Sequence, residues 1–203
     1  MNTDNFFKED IILENRRARL EPLQPQHYAK LLPIALEKEL WLFTSNFVDN
    51  EADFRRYFDN ALAERKAGLA YPFAVYDKQT GQYAGSTRFG SISFMHKRVE
   101  IGWTWYHPNF HGTGLNKACK LLLLNYGFET LKLNRIELKT SLLNLKSQAA
   151  ILKIGAVKEG IFRNHLITER GIVRDTVYFS FIKEEWQDTK EKLLSEGATY
   201  KNT

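Results

Sequence analysis

The stretch Asn109-Phe-His-Gly-Thr-Gly-Leu-Asn116 decides how the rest of the chain is read. It follows an extended aromatic run, Val99-Glu-Ile-Gly-Trp-Thr-Trp-Tyr-His107, which Pro108 breaks. It precedes a long apolar run from Leu115 to Leu131, in which Leu115, Ala118, Cys119, Leu122, Leu123 and Tyr126 recur at helical spacing. Leu121, Leu124 and Phe128 widen that stripe, so a helix buried against a sheet is expected. A strand feeding a glycine turn that opens a helix points several unpaired N–H groups outward, and the helix dipole adds partial positive charge there. Gly112 and Gly114 let the backbone approach a phosphate with no Cβ in the way. The stretch therefore predicts a docking site for a phosphate-bearing ligand. It lacks the Lys-Ser/Thr of a P-loop and the third glycine and ribose-binding acid of a dinucleotide fold, which argues against both.

Outward from this turn, the chain alternates element types. Toward the N-terminus, Ile11–Leu23 is expected as a first strand ending at Pro22. Pro25–Lys38 has Tyr28, Leu31, Leu32 and Leu36 at helical spacing, and a second helix is expected over Glu51–Ala67, stopped by Gly68. Tyr71–Asp77 and Gln82–Ile92 form a predicted hairpin about Asp77-Lys-Gln-Thr-Gly81, followed by the strand Val99–His107. Toward the C-terminus, Arg135–Thr140 alternates, with Ile136 and Leu138 on one face and Glu137 and Lys139 on the other. A short helix over Lys146–Ile154 stops at Gly155. Two closing strands, Ala156–Asn164 and Ile172–Lys183, join at Glu169-Arg-Gly171, and a short amphipathic helix and polar tail end the chain. With no repeat, long linker or low-complexity run, one domain over 1–203 is expected.

The chain has 203 residues, 43% hydrophobic and 13% aromatic, enough for a folded globule with a sizeable core. Its formal charge of +5 suits an anionic partner, although ordinary surface lysines give the same balance. A lone Cys119 allows no internal disulfide, and no run approaches the roughly 18 apolar residues of a membrane span. A soluble, cytoplasmic protein is expected, with no membrane partner. Cys119 lies on the helical apolar stripe, so a buried side chain is expected rather than a nucleophile. No two of the five histidines have ligand spacing with a third acidic or thiol partner, so no metal is expected.

In this order of elements, several short patterns resemble those of the GNAT acyltransferase superfamily, and more narrowly its RimJ/RimL-like branch. They are Asn109-x-x-Gly112-x-Gly114, Asn144-Leu-Lys-Ser147, Lys153-Ile-Gly155 and Val157-Lys-Glu159-Gly160, with Glu100-Ile-Gly-Trp103 ahead of the turn. The resemblance covers about residues 11–183. Asn109 departs from the family's Gln or Arg, which weakens one side-chain contact and leaves the N–H cradle intact. The resemblance implies an α+β (α/β mixed) fold with a central, twisted, mostly antiparallel seven-stranded sheet flanked by helices.

By the same resemblance the ligand is acetyl-coenzyme A as cosubstrate. Its pyrophosphate would rest on the N–H groups of His111, Gly112, Thr113, Gly114 and Leu115. Its pantetheine arm would lie along Trp105, Tyr106 and His107, where two neighbouring strands splay apart, and Asn144 would reach it from the side. Acetyl transfer to an amine requires loss of the amine proton, polarisation of the thioester oxygen and protonation of the departing thiolate. The family pattern implies Glu100 as base, the backbone N–H of Tyr106 as polariser and Ser147 as proton donor. A salt-bridged strand residue is the alternative for Glu100, and a local helix cap for Ser147. His107 and His111 flank the turn and can contact phosphate or relay protons. Trp41, Phe43, Arg88, Trp103 and His165 are the candidate acceptor-binding residues.

The implied activity is an N-acetyltransferase acting on a primary amine, either a small molecule or a protein N-terminus, by direct attack in a ternary complex. A non-catalytic acyl-coenzyme A sensor of the same fold is the alternative. A nucleic-acid-binding module is disfavoured because basic residues are scattered among acids. Monomer and homodimer are both compatible with the sequence.

Overall fold

The computed structural model describes residues 5–198. The segment expected as one N-terminal strand is a hairpin of β1 (Leu13–Glu14) and β2 (Ala18–Pro22). Asn15 makes the break: its Oδ1 accepts from the N–H groups of Arg17 (2.9 Å) and Ala18 (2.8 Å). Short amide side chains form such turns in competition with strand pairing. The sheet accordingly has eight strands, one more than expected.

A 3-10 turn at Pro25–His27 leads into α1 (Tyr28–Ala35), shorter than the expected Pro25–Lys38. Pro33 lacks the N–H that would continue the ladder, and the helix stops two residues later. In α2 (Glu51–Lys66), Asn50 caps the N-terminus by accepting from Asp53 N–H at 3.0 Å, and Arg65 and Lys66 occupy the negative end of the dipole. The hairpin β3 (Tyr71–Asp77) and β4 (Gln82–Ser93) turns where expected, with Gly81 N–H donating to Asp77 O at 2.9 Å. Then follow β5 (Arg98–Tyr106) and α3 (Leu115–Asn125), which runs into a π-helical turn at Tyr126–Thr130. The wider turn buries the consecutive residues Tyr126, Gly127 and Phe128 against the sheet. The remaining elements are β6 (Arg135–Ser141), α4 (Leu145–Lys153), β7 (Val157–Ile167), β8 (Val173–Ile182) and α5 (Trp186–Ala198). The polar tail expected beyond α5 lies outside the described residues. No described helix is long and apolar enough to cross a membrane.

The strand order is β1-β2-β3-β4-β5-β6-β8-β7, antiparallel except for the parallel pair β5–β6. That pair is joined by the crossover through α3, as a parallel connection requires. It holds for three rows only, Arg98/Arg135, Val99/Ile136 and Glu100/Glu137, after which the two strands part.

The alternation on β6 sorts the sheet faces. Ile136 and Leu138 join Leu115, Cys119 and Leu123 of α3 and Val177 and Phe179 of β8 in the main core. Glu137 and Lys139 face the other way. A second core, built from Tyr28, Leu31, Phe54 and Phe58 of α1 and α2 with Trp41 and Trp105, covers the opposite face near β3–β5.

Candidate active site

The turn ahead of α3 is an open cradle of main-chain donors. Gly112 and Gly114 adopt left-handed φ values of +75° and +86°, which an L side chain resists. Gly114 is the N-cap of α3, and no side chain caps that end. Among the described residues, nothing accepts from the N–H groups of Gly112, Thr113, Gly114 or Leu115. A Cβ on either glycine would meet no atom within 4 Å, so the space in front of these donors is free. Thr113 Oγ1 donates to Phe110 O at 2.9 Å and accepts from Arg17 Nη2 at 3.3 Å, which fixes the turn and sets a guanidinium beside it. Lys146 Nζ lies 2.9 Å from His111 Nδ1, while His111 Nε2 donates to Tyr106 O at 3.0 Å. Burial and then the Lys146 charge lower the His111 pKa, favouring a neutral ring. Free donors, free space and flanking cations together fit a diphosphate.

The cradle opens onto the gap between β5 and β6. His107 N–H donates to Ala84 O at 2.9 Å, so the neighbouring pair Gly85/Tyr106 is a non-hydrogen-bonded row of the β4–β5 ladder. The Tyr106 N–H and C=O consequently point away from β4, into the gap. The Tyr106 hydroxyl is buried beside Cys119, and burial raises its pKa well above the ordinary value. Further along, β5 bulges between Gly102 and Trp105, with Trp103 at φ +49°. The Trp103 indole lies over Gly90, where a Cβ would stand 2.3 Å from the ring. Beneath the bulge, Lys120 of α3 donates from Nζ to Thr104 Oγ1 at 2.8 Å, and Thr104 in turn bonds Thr87 Oγ1 at 2.7 Å. Lys120 is 5% exposed and, among the described residues, has no carboxylate partner. Burial lowers its pKa to about 8.

Where the strands part stands Glu100, 8% exposed. Its Oε2 accepts from Ser91 Oγ at 3.0 Å and from Lys139 Nζ at 2.8 Å, so it is an ion-paired strand residue as well as a cleft residue. Burial alone would lower the Lys139 pKa, but Glu100 holds it above the ordinary lysine value. Lys139 also lies 4.8 Å from the Tyr178 ring centroid, and Tyr178 OH is 3.0 Å from His165 Nε2. Burial, then the charges of Lys139 and Arg174, lower the His165 pKa. The hairpin β7–β8 is tied across the cleft to residues 41–47: Glu169 accepts from Phe47 N–H at 2.7 Å and Asn46 Nδ2 at 3.1 Å, and Arg174 Nη1 donates to Phe43 O at 3.3 Å.

One cleft of about 2370 Å³ runs from the turn to this far end. It brings together Trp105, Tyr106, His107, His111, Gly112, Thr113, Gly114, Asn144, Glu100, Ser147, Trp41, Phe43, Trp103 and His165. Leu115 offers only its N–H, its side chain being fully buried. Arg88 is not among them. It lies behind Trp103, ion-paired to Glu64 in a separate recess, with its guanidinium 5.1 Å from the Trp103 ring centroid. Trp41 is 2% exposed, its Nε1 donating to Ala35 O at 2.7 Å, and Phe43 stands at the mouth. Asn144 is the N-cap of α4, accepting from Ser147 N–H at 3.0 Å; Ser147 contributes its N–H to that cap, and its side chain lines the cleft. Cys119 is buried, its thiol pushed up to about 12 by burial, which suits packing and not attack.

A family model described as an acetyltransferase (GNAT) domain matches residues 17–157. The chain belongs to the GNAT acetyltransferase family. It is an acetyl-coenzyme A-dependent acetyltransferase of that family. It is 31% identical over 184 residues to YdaF of Bacillus subtilis (strain 168), provisionally named a ribosomal N-acetyltransferase, covering 84% of this chain and 92% of that one. The crystal structure of a GCN5-related N-acetyltransferase from Brucella melitensis superposes with a TM-score of 0.85 at 29% identity, covering 92% of this chain and 85% of that one. Mycobacterium smegmatis RimJ in complex with CoA-disulfide shares the fold at 21% identity, with a TM-score of 0.76 over 93% of this chain and 94% of that one.

Within this GNAT cleft, three cations stand where sequence reasoning singled out none: Lys120, Lys139 and Arg174. Lys139 carried the one available signal, as the outward residue of an alternating strand. Lys120 lies among the apolar residues of α3, and Arg174 is the second residue of β8, and neither pattern by itself tells a cleft residue from a surface one.

Proposed function

We propose that this enzyme transfers an acetyl group from acetyl-coenzyme A to a primary amine by direct attack in a ternary complex. The observation that carries this reading is a single cleft linking the uncapped turn at Gly112–Gly114 to Glu100 through the gap between β5 and β6. The N–H groups of His111–Leu115 hold the diphosphate, with Arg17 and Lys146 beside them. The Tyr106 carbonyl, on the open side of β5, accepts from a pantetheine amide as an added strand's partner would, with Trp105 and His107 flanking the arm. The side-chain amide of Asn144 meets the arm from the α4 side. Acetyl-coenzyme A supplies the acetyl group as a thioester.

Glu100 accepts the amine proton, directly or through a water, because an ammonium has no lone pair with which to attack. The Tyr106 N–H donates to the thioester oxygen as it gains charge. The Lys120 ammonium adds a second positive group on the cleft floor. Ser147 returns a proton to the departing sulfur. The C–N bond forms as the C–S bond breaks, and no acyl-enzyme is involved. Trp41, Phe43, Trp103 and His165 bound the acceptor end, with Arg88 stiffening Trp103 from behind. The acceptor is a small amine or a protein N-terminus, the name of YdaF pointing to a ribosomal acceptor for that relative, and the setting is cytoplasmic.

The reading is tested by incubating a panel of amines with isotopically labelled acetyl-coenzyme A and identifying products by mass spectrometry. Labelled amide is expected with wild type. Glu100→Gln is expected to lower turnover by about 100-fold or more with cofactor affinity retained, the scale of a lost general base. Undiminished turnover in Glu100→Gln removes Glu100 from the role.

A further inference from the structure

The acceptor end of the cleft has an uncompensated positive charge. Over its whole length the cleft is lined by eight Lys and Arg side chains and by two carboxylates, Glu39 and Glu100. The cations near the turn face the expected diphosphate. At the other end Glu100 is taken up by Lys139 at 2.8 Å, leaving Arg174. Arg174 is half-buried and lines the cleft; it donates to Phe43 O and Thr176 Oγ1, both at 3.3 Å, and makes no ion pair among the described residues. Glu100 is close enough to act on it electrostatically, yet burial is the larger effect and lowers its pKa. A guanidinium that loses water and gains no carboxylate is set up to take one from a ligand, in the two-pronged geometry that suits it.

The register places Arg174 on the same sheet face as the reaction centre. Lys139 pairs with Tyr178 and Ser141 with Thr176 across β6–β8, so Arg174, two residues before Thr176, continues that polar face along β8. Phe43, whose carbonyl accepts from Arg174, and Leu166, its register partner on β7, are the apolar residues beside it, and Trp103 lines the same cleft. A purely cationic acceptor, such as a polyamine, would enter against Arg174 and Lys139 with Glu100 already paired. A protein N-terminus would bring no anion of its own beside the amine.

We propose that the acceptor is a small primary amine that also carries a carboxylate, an amino acid with an apolar body, whose carboxylate is bound by Arg174 while its amine faces Glu100. This rests on the acetyl-transfer reading above and narrows its acceptor. Arg174 is a specificity-determining residue in this account, remote from the proton transfers themselves.

The test compares acetylation of L-phenylalanine and L-leucine with that of their carboxamides and their decarboxylated amines, phenethylamine and isoamylamine. Spermidine and a neutral hexapeptide with a free N-terminus complete the set. For wild type, kcat/KM is expected to be about 10- to 100-fold higher for the amino acids than for the matched carboxamides, the worth of a charge-assisted pair. In Arg174→Gln that preference is expected to fall toward one, and Arg174→Lys to restore part of it, with unfolding temperatures confirming both folds. The comparison among substrates needs no variant, so it stands even if Arg174→Gln does not fold. Equal rates for acids and carboxamides, or a preference for spermidine or the peptide, overturn the proposal and leave acetyl transfer intact. If acetyl-coenzyme A binds and no amine of any class is acetylated, the acetyl-transfer reading fails and this proposal with it.

Discussion

Lys120 is the residue whose surroundings constrain it most. An ammonium with one hydrogen bond in a dry site is costly, and its pKa of about 8 expresses that cost. The sign follows from linkage. The folded-state pKa lies below the ordinary 10.5, so above pH 8 the native protein releases a proton that the unfolded chain still holds. Stability relative to Lys120→Met should therefore rise from about pH 8 to 10.5, as urea melts across that range would show. If the ammonium assists the thioester, kcat/KM for acetyl-coenzyme A should fall above pH 8 in wild type, and that limb should be absent in Lys120→Met. Cys119 behaves oppositely: buried and pushed up to about 12, it should resist iodoacetamide at pH 8 in the native protein, with intact mass as the readout. Such residues are hard to find in sequence because their chemistry comes from elsewhere. Lys120 matters through the bulge at Trp103–Thr104, which no local residue pattern announces, and Arg174 through a register fixed by β6 and β7.

Among the elements, legibility tracked the strength of the local signal. The α3 stripe and the Asp77–Gly81 turn each have several residues agreeing on one geometry, and both appear where expected. The Ile11–Leu23 segment does not, because Asn15-Arg16-Arg17 contains neither Gly nor Pro, and its turn depends on one amide oxygen accepting two N–H bonds. The α4 N-terminus offers a test at this scale. Asn144 both caps the helix and lines the cleft, so Asn144→Ala should cost about 1 kcal/mol in a denaturant melt. The same variant should raise KM for acetyl-coenzyme A, whereas a purely structural cap would leave KM unchanged.

The whole molecule is a sheet opened at one seam. Where β5 and β6 part could not be read from either strand, since both continue as regular strands and only the three-row register shows the opening. The family resemblance supplied that feature; periodicity did not. Long-range ties hold the acceptor end together: Glu169 joins the β7–β8 hairpin to residues 45–47, more than a hundred positions earlier. These bonds are exposed, so Glu169→Ala should change global stability by under about 1 kcal/mol. It should raise the acceptor KM and speed amide exchange at residues 43–47, with acetyl-coenzyme A affinity unaltered.

The central claim is that main-chain amides at Gly112–Leu115 grip the diphosphate of the acyl carrier, and calorimetry tests it directly by titrating acetyl-coenzyme A and acetyl-pantetheine, which has no diphosphate, into wild type and Gly112→Ala/Gly114→Ala. A Cβ at these positions meets no protein atom within 4 Å, and the left-handed φ at both means that the change acts on the conformation of the turn itself. Wild type should bind acetyl-coenzyme A about 10- to 100-fold more tightly than acetyl-pantetheine, the range for charge-assisted hydrogen bonds, and the double variant should lose most of that difference. Equal affinity of wild type for the two thioesters, or an undiminished difference in a folded double variant, would contradict the account.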